Sequence, residues 1–266
     1  MIYRTSKRLK VKLLSLPAFL AASVLLTSLF NPVLFASNQT DSNEPILVIA
    51  GHIESRLDDN PNSPYRRVLT KILPAEKAEY RLYPVPRTLR DFGKETVSCI
   101  FPTSIDILHL LTDFPADQMI QSLPIDRVSS HIFTSPSAKV ISATTDLKDK
   151  SIVVRQAVVE EHIDFPGVKT IVRTVDNQSA LRMLLAGRAD VMYGWIPDVY
   201  DIADEHGLTP PTFDPSLTIY ATNIYLTCKN NKKTQNLLSQ VNSRIQALKN
   251  SGNLREILGK NARLVD

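Results

Sequence analysis

The side chains of this sequence that could do chemistry fall into no catalytic spacing. It holds no GxSxG elbow, no HExxH pair, no P-loop and no GxGxxG turn. His109, His131, His162 and His206 are scattered without metal-ligand spacing and read as structural or exposed, so neither a metal nor any other cofactor is expected. Glu160-Glu161-His162 has the types for acid–base work, but it stands in a polar run and reads as a solvated face. What remains is a vocabulary for binding. Trp195, the only tryptophan, can stack on a planar or cationic ligand or simply pack. Tyr193 points to the same side of a regular strand, where core packing is its ordinary role. Arg155, with Gln156 beside it, ends a strand and can clamp an anion, or lie solvated there. Asp198 opens a helix, and capping is its first role.

These residues need elements to hold them. Ile46-Leu-Val-Ile-Ala50 ending at Gly51 reads as a buried parallel strand, followed by a polar loop to Pro64. Helical spacing places Val68, Leu69, Ile72 and Leu73 on one face of a helix over 65–73. A strand over 79–85, a short helix over 87–92 and a third strand over 97–101 follow. This β-α-β-α-β order predicts a parallel sheet with right-handed crossovers. A helix over 105–111 and a strand over 128–134 come next. The second series expects strands at 140–142, 151–155, 169–172 and 189–194. Between the last two stands a helix capped by Asp176 or Asn177 and ended by Gly187. A helix over 196–205 has Pro197 in its first turn. A strand over 219–229 returns to the first series. Leu237, Leu238, Val241, Ile245 and Leu248 mark an amphipathic helix, and Asn253 is expected to cap a last short one. Thr103, Ser104 and Arg87 each follow a strand. So do His52, Glu54 and Arg56, whose ordinary reading is that of solvated loop residues.

Arg4, Lys7, Arg8, Lys10 and Lys12 precede an apolar run to Phe30, and Val33 to Ser37 offers a small-residue exit. That reads as a signal peptide over 1–36 with Ala36 last before the cut; an uncleaved anchor is the alternative. Removing those five bases leaves 26 Lys/Arg of the 31 against 27 Asp/Glu, a formal net charge of −1. Nothing then points to nucleic acid as a partner. About 230 of the 266 residues remain, enough for two small lobes. Cys99 and Cys228 are the only cysteines. In an exported chain they form one disulfide or stay two buried thiols, and the sequence leaves both open.

Three segments in order carry a resemblance: DLKDKSIVV (146–154), SALRMLLAGRADVMYGW (179–195) and VNSRIQALKNSGNLREILGK (241–260). Together they resemble the family 3 bacterial extracellular solute-binding proteins, the periplasmic receptors of polar amino-acid uptake systems. The match is good from about Leu123 to Lys260 and vague before it. It implies an α/β, type II periplasmic-binding-protein-like fold of two lobes, each a mainly parallel sheet flanked by helices. Lobe 1 would comprise 37–133 plus 222–266 and lobe 2 would comprise 134–221. The linking strands near Ser130–Thr134 and Tyr220–Thr227 would act as a hinge. The same resemblance puts Trp195, Arg155 and Gln156 at the cleft, with Tyr193 and Asp198 near it. Thr103, Ser104, Arg87, His52 and Glu54 would line the first lobe.

The departures from the family pattern narrow the ligand. Its carboxylate-clamping Arg falls in IDILHLL (105–111), which has none. Its Gly-Thr pair falls on Ala157-Val158, and its ammonium-pairing Asp on Trp195. A zwitterion without those partners would be desolvated at a cost of several kcal/mol. The expected ligand is therefore small and not a standard α-amino acid. The expected protein is a monomeric, non-enzymatic periplasmic receptor serving a membrane permease or sensor. A lyase on the same fold and a ligand-free sensor-docking module are the alternatives.

Overall fold

The computed structural model describes residues 44–156 and 164–264. The signal-peptide segment, Ala157-Val158 and Glu160-Glu161-His162 lie outside the described residues. β1 (Ile46–Gly51) is apolar throughout because helices cover both of its faces. Val48 and Ala50 pack with Tyr65, Val68, Leu69 and Ile72, and so with α1 (Pro64–Ile72). Ile49, pointing the other way, packs with Phe92 and Leu108, from α2 (Val85–Phe92) and α3 (Ile105–Leu111). β2 (Ala78–Tyr83) and β3 (Cys99–Thr103) flank β1, both parallel to it, as the β-α-β-α-β order predicts.

The sheet then changes character. β10 (Tyr220–Lys229) lies antiparallel to β3 and carries the short β4 (Met119–Gln121). Its first half pairs instead with β5 (Asp126–Thr134). Beyond β5 come β8 (Val191–Ile196), β6 (Ser151–Arg155) and β7 (Thr170–Thr174), with the two-residue β9 (Thr212–Phe213) on β5. The path is therefore β2-β1-β3-β10-β5-β8-β6-β7, two mainly parallel halves meeting at an antiparallel centre. α4 (Asn177–Leu185) and α5 (Asp198–Glu205) serve the second half. α6 (Lys232–Asn250) and α7 (Asn253–Leu258) return to the first. The Asp176 side chain caps α4 through the N–H of Ser179 at 2.6 Å. No described helix is long and apolar enough to cross a membrane.

Some local expectations fail for identifiable reasons. Residues 140–142 form no strand; Ile141 is buried, but its backbone joins no ladder. β8 runs on to Ile196, so α5 starts at Asp198, after Pro197. Asn253 does not cap α7: Gly252, at φ 75°, holds the cap position, and Asn253 is the first helical residue. β4 and β9 lie in stretches too short to show a period.

β8 shows how alternation builds two cores at once. Tyr193 and Trp195 belong to the cluster shared with the first half, whereas Met192 and Ile196 pack into the core beneath α4 and α5. Gly194 lets α5 come close: a Cβ there would stand 2.6 Å from Val199 Cγ2. Cys99 and Cys228 are register partners on β3 and β10 and form a disulfide with both residues fully buried.

Candidate ligand-binding site

The carboxyl ends of β1, β3, β6 and β8 point into one region between the halves of the sheet, where open α/β sheets hold their ligands. A cavity of about 120 Å³ lies there. Its wall is apolar on nearly every side. β3 gives Ile100, Phe101 and Thr103; α2 gives Val85, Thr88 and Leu89; α3 gives Ile107 and Leu111. β6 and β8 contribute Arg155 and Trp195 from across the cleft, and α5 contributes Asp198. The indole meets Tyr193 edge-on at 6.4 Å and Tyr220 at 6.0 Å. α3 is the segment from which the resemblance led one to expect a clamping Arg, and it offers isoleucine and leucine instead.

The largest departure from the sequence reading is Arg56. Read as a solvated loop residue, it is fully buried. A tight turn brings it inward: Leu57 N–H donates to the Ile53 carbonyl at 2.7 Å, and Ser55 takes φ 63°. Its guanidinium donates to Asp126 at 2.6 Å and to Asp201 at 2.5 Å, and Nε stands 3.9 Å from Asp198. Its face lies 4.3 Å above the Tyr65 ring, and the Tyr65 hydroxyl donates to Asp126 at 3.0 Å. The side chains beside it extend the bridge. The Glu54 carboxylate accepts from the Asn177 N–H at the start of α4 at 2.8 Å, and the Ser55 hydroxyl donates to Glu205. On α5, Asp201 and Asp204 accept from Asn261 at 2.9 and 2.8 Å, and Lys260 pairs with Asp204 at 2.9 Å. The loop after β1 and the tail after α7 are thereby hooked onto α4 and α5.

The electrostatics follow from burial. Burial works against the Arg56 charge, but Tyr65 and the three aspartates outweigh it and strengthen its hold on the proton. Asp198 is pushed up to about 6 by burial, which Arg56 and Arg155 offset only in part. Burial also raises Asp126 against the pull of Arg56, and raises Glu54 against the helix N–H groups.

A raised carboxylate has a definite sign. The folded protein takes up this proton near pH 6, while the unfolded chain takes it up near the ordinary carboxylate value. The native state therefore binds more protons between those limits, and Asp198's contribution favours folding increasingly as pH falls from about 7 to about 4. The shift from 3.8 to about 6 corresponds to on the order of 3 kcal/mol. Asp198→Asn, which leaves Arg56 with Asp126 and Asp201, is expected to be more stable than the parent at pH 7.5, with the gap shrinking at pH 5. Urea midpoints at both pH values check this; a gap that is constant or reversed would sink the assignment.

The structure gathers some of the expected residues and disperses others. Trp195, Arg155, Asp198 and Thr103 share the cavity wall. Tyr193 stays behind Trp195 in the core. Asp198 makes no side-chain cap on α5; its carboxylate is turned toward Arg56 because burial there requires a charge partner. Ser104 is committed to α3, accepting from the Ile107 N–H at 3.2 Å and from Thr222 at 3.2 Å. Arg87 lies away from the cavity, over the Tyr83 ring at 4.0 Å and paired with Asp91. His52 is exposed and borders, with Gln156 and Arg155, a separate shallow groove. His131 is buried between Ser129 and the Leu217 carbonyl, a structural role, and His109 and His206 are exposed. Among the described residues no group of His, Cys, Asp and Glu could hold a metal ion. Tyr65, Asp126 and Asp201 were missed. The one cue was the i, i+3 spacing of Asp198 and Asp201, two acids on one helical face.

This architecture, a curled mixed sheet in two halves with a cavity at the strand ends between them, is that of the two-lobed periplasmic-binding-protein-like domains. Solved structures share it. A histidine kinase sensor domain with similarity to periplasmic binding proteins aligns at TM-score 0.62 and 19% identity, over 85% of this chain and 100% of that one. The amino acid ABC transporter substrate-binding protein AbpA from Streptococcus pneumoniae, bound to L-arginine, aligns at 0.58 and 13%, over 81% and 93%. The ancestral amino acid-binding protein AncCDT-1, a precursor of cyclohexadienyl dehydratase, aligns at 0.54 and 13%, over 80% and 92%. At such identities the likeness is one of fold. No protein-family model and no curated protein matches the chain.

Proposed function

We propose that this chain is an exported solute-binding protein that holds a small ligand between two lobes and presents the closed form to a membrane partner, a transporter or a sensor. The observation that carries this reading is the cavity itself, walled by residues from both halves of the sheet at the strand ends. We place lobe 1 at 37–133 plus 222–266 and lobe 2 at 134–221, with the β5 and β10 segments as hinge. The strand path, which crosses between the halves only there, supports that division. Export to an oxidising compartment, the periplasm, fits the basic-then-apolar leader and the buried disulfide. Closure would couple ligand affinity to partner recognition, because only the closed state makes both sets of contacts. We take the protein to act as a monomer and to carry out no reaction.

A thermal-shift screen against amino acids, polyamines, organic acids, nucleosides and small aromatic compounds tests the reading. A ligand at a hundred times its Kd should add about 2.7 kcal/mol and raise the melting midpoint by several degrees. If no compound moves the midpoint or the Trp195 fluorescence, solute binding fails.

Two other readings each rest on one observation. A lyase would use Asp198, a cavity carboxylate whose proton affinity is raised by burial and which shares the wall with Arg155. It requires turnover that Asp198→Asn abolishes. A ligand-free sensor module would use the chain's own bridge, Glu54, Ser55 and Arg56 with Lys260 and Asn261, as its latch. It requires partner binding that no small molecule alters.

A further inference from the structure

We infer that the ligand is an uncharged, ring-sized and mostly apolar molecule, a neutral aromatic or alicyclic compound with at most one hydroxyl or N–H donor. The inference rests on the solute-binding reading above and goes beyond it by naming the chemical class. Three features of the cavity carry it.

The first is the use already made of the charges. A zwitterion receptor must offer the ligand one cation and one anion that are not otherwise engaged. Here Asp126 and Asp201 are paired by Arg56, which also faces Asp198. Arg155, the cation on the wall, lies in the field of both Asp198 and Glu54. Of these acids only Asp198 lines the cavity, and its countercharge comes from the chain itself, from Arg56 with Nε at 3.9 Å and from the field of Arg155. A ligand charge brought into this wall would lose its hydration without gaining a dedicated partner.

The second is the wall. Ile100, Phe101, Ile107, Leu111, Val128 and Trp195 enclose the space from both sides of the cleft. Of the two threonines there, Thr88 donates to the Pro84 carbonyl at 3.1 Å and Thr103 to the Ser104 carbonyl at 3.4 Å. With those protons engaged, the hydroxyls offer lone pairs, as does Asp198. The polar part of the wall therefore suits a ligand that donates one hydrogen bond. The third feature is size. About 120 Å³ compares with apolar cavities of about 150 Å³ that take up benzene.

The test measures melting midpoints and Trp195 fluorescence of the purified protein with phenol, indole and cyclohexanol as neutral rings. Benzoate, phenyltrimethylammonium, and arginine with phenylalanine serve as anion, cation and zwitterions. Neutral rings are expected to bind at least about tenfold more tightly than any charged compound, and to raise the midpoint by about 5–10 °C at a hundred times Kd. Ile107→Phe, at a half-buried position on the wall, is expected to weaken that binding at least about tenfold by filling the space. Val85→Phe narrows the cavity from α2 and keeps the test open if the first variant does not fold. Tighter or equal binding of a charged compound overturns the ligand class and leaves solute binding standing. Silence from every compound overturns both. Neutral-ring binding unchanged in both folded variants overturns the assignment to this cavity.

Discussion

Arg56→Met is expected to destabilise the protein by about 3–5 kcal/mol at neutral pH. The substitution retains most of the aliphatic volume and removes only the charge and its donors. It leaves Asp126, which is fully buried, and Asp198, which is nearly so, without the guanidinium that both face. Asp126 would keep the Tyr65 hydroxyl and the backbone N–H groups of Arg127 and Arg263, so its loss is partial. Asp198 would keep the electrostatic pull of Arg155. The cost arises less from a lost bond than from two carboxylates stripped of water and of countercharge. Lowering the pH should restore part of it, because both already hold their protons more tightly than ordinary carboxylates. Urea unfolding of parent and variant at pH 7.5 and pH 5 measures both effects. A loss below about 1 kcal/mol, or one that grows on acidification, would show that the guanidinium is not the countercharge drawn here. Adding Asp198→Asn to Arg56→Met should recover part of the loss, since the two residues share one network.

The second large effect is expected from the disulfide. Replacing Cys99 and Cys228 together with alanine should cost about 4–5 kcal/mol, because the crosslink joins residues 129 apart in sequence and so removes a large loop's freedom from the unfolded chain. The folded state should change little. The two strands are already register partners, and the site is apolar and closed to water. The loss should therefore appear in the unfolding midpoint and not in the native spectrum. Because both cysteines are fully buried, reductant should act on the native parent only as fast as the protein opens. A double variant as stable as the parent would mean that the unfolded chain stays compact around these strands without the bond.

The two effects differ in how far the sequence disclosed them. The cysteine pair was visible as an alternative between a bond and two thiols. What decided it was the pairing of β3 with β10, a contact between strands more than a hundred residues apart that no local pattern encodes. Arg56 was visible only as one polar residue among many after β1. Its burial depends on a tight turn at Ser55 and on two aspartates whose helix arrives from the far half of the sheet. Trp195 lies between these cases. The alternation of β8 put it on the same face as Tyr193, and the structure adds that this face meets the cavity.

The sequence by itself determined most of the long elements and that the first three strands run parallel. Both follow from local period and from which residues can end a helix or begin a turn, and those forces act within a few residues. Set against the family it resembles, it also showed which anchors are absent, since 105–111 holds no arginine and position 195 is tryptophan. Only the tertiary structure decided how the buried charges are paired. Buried charges must find partners wherever the fold brings them, so Arg56, Asp126, Asp198 and Asp201 were matched across the cleft by desolvation rather than by spacing along the chain.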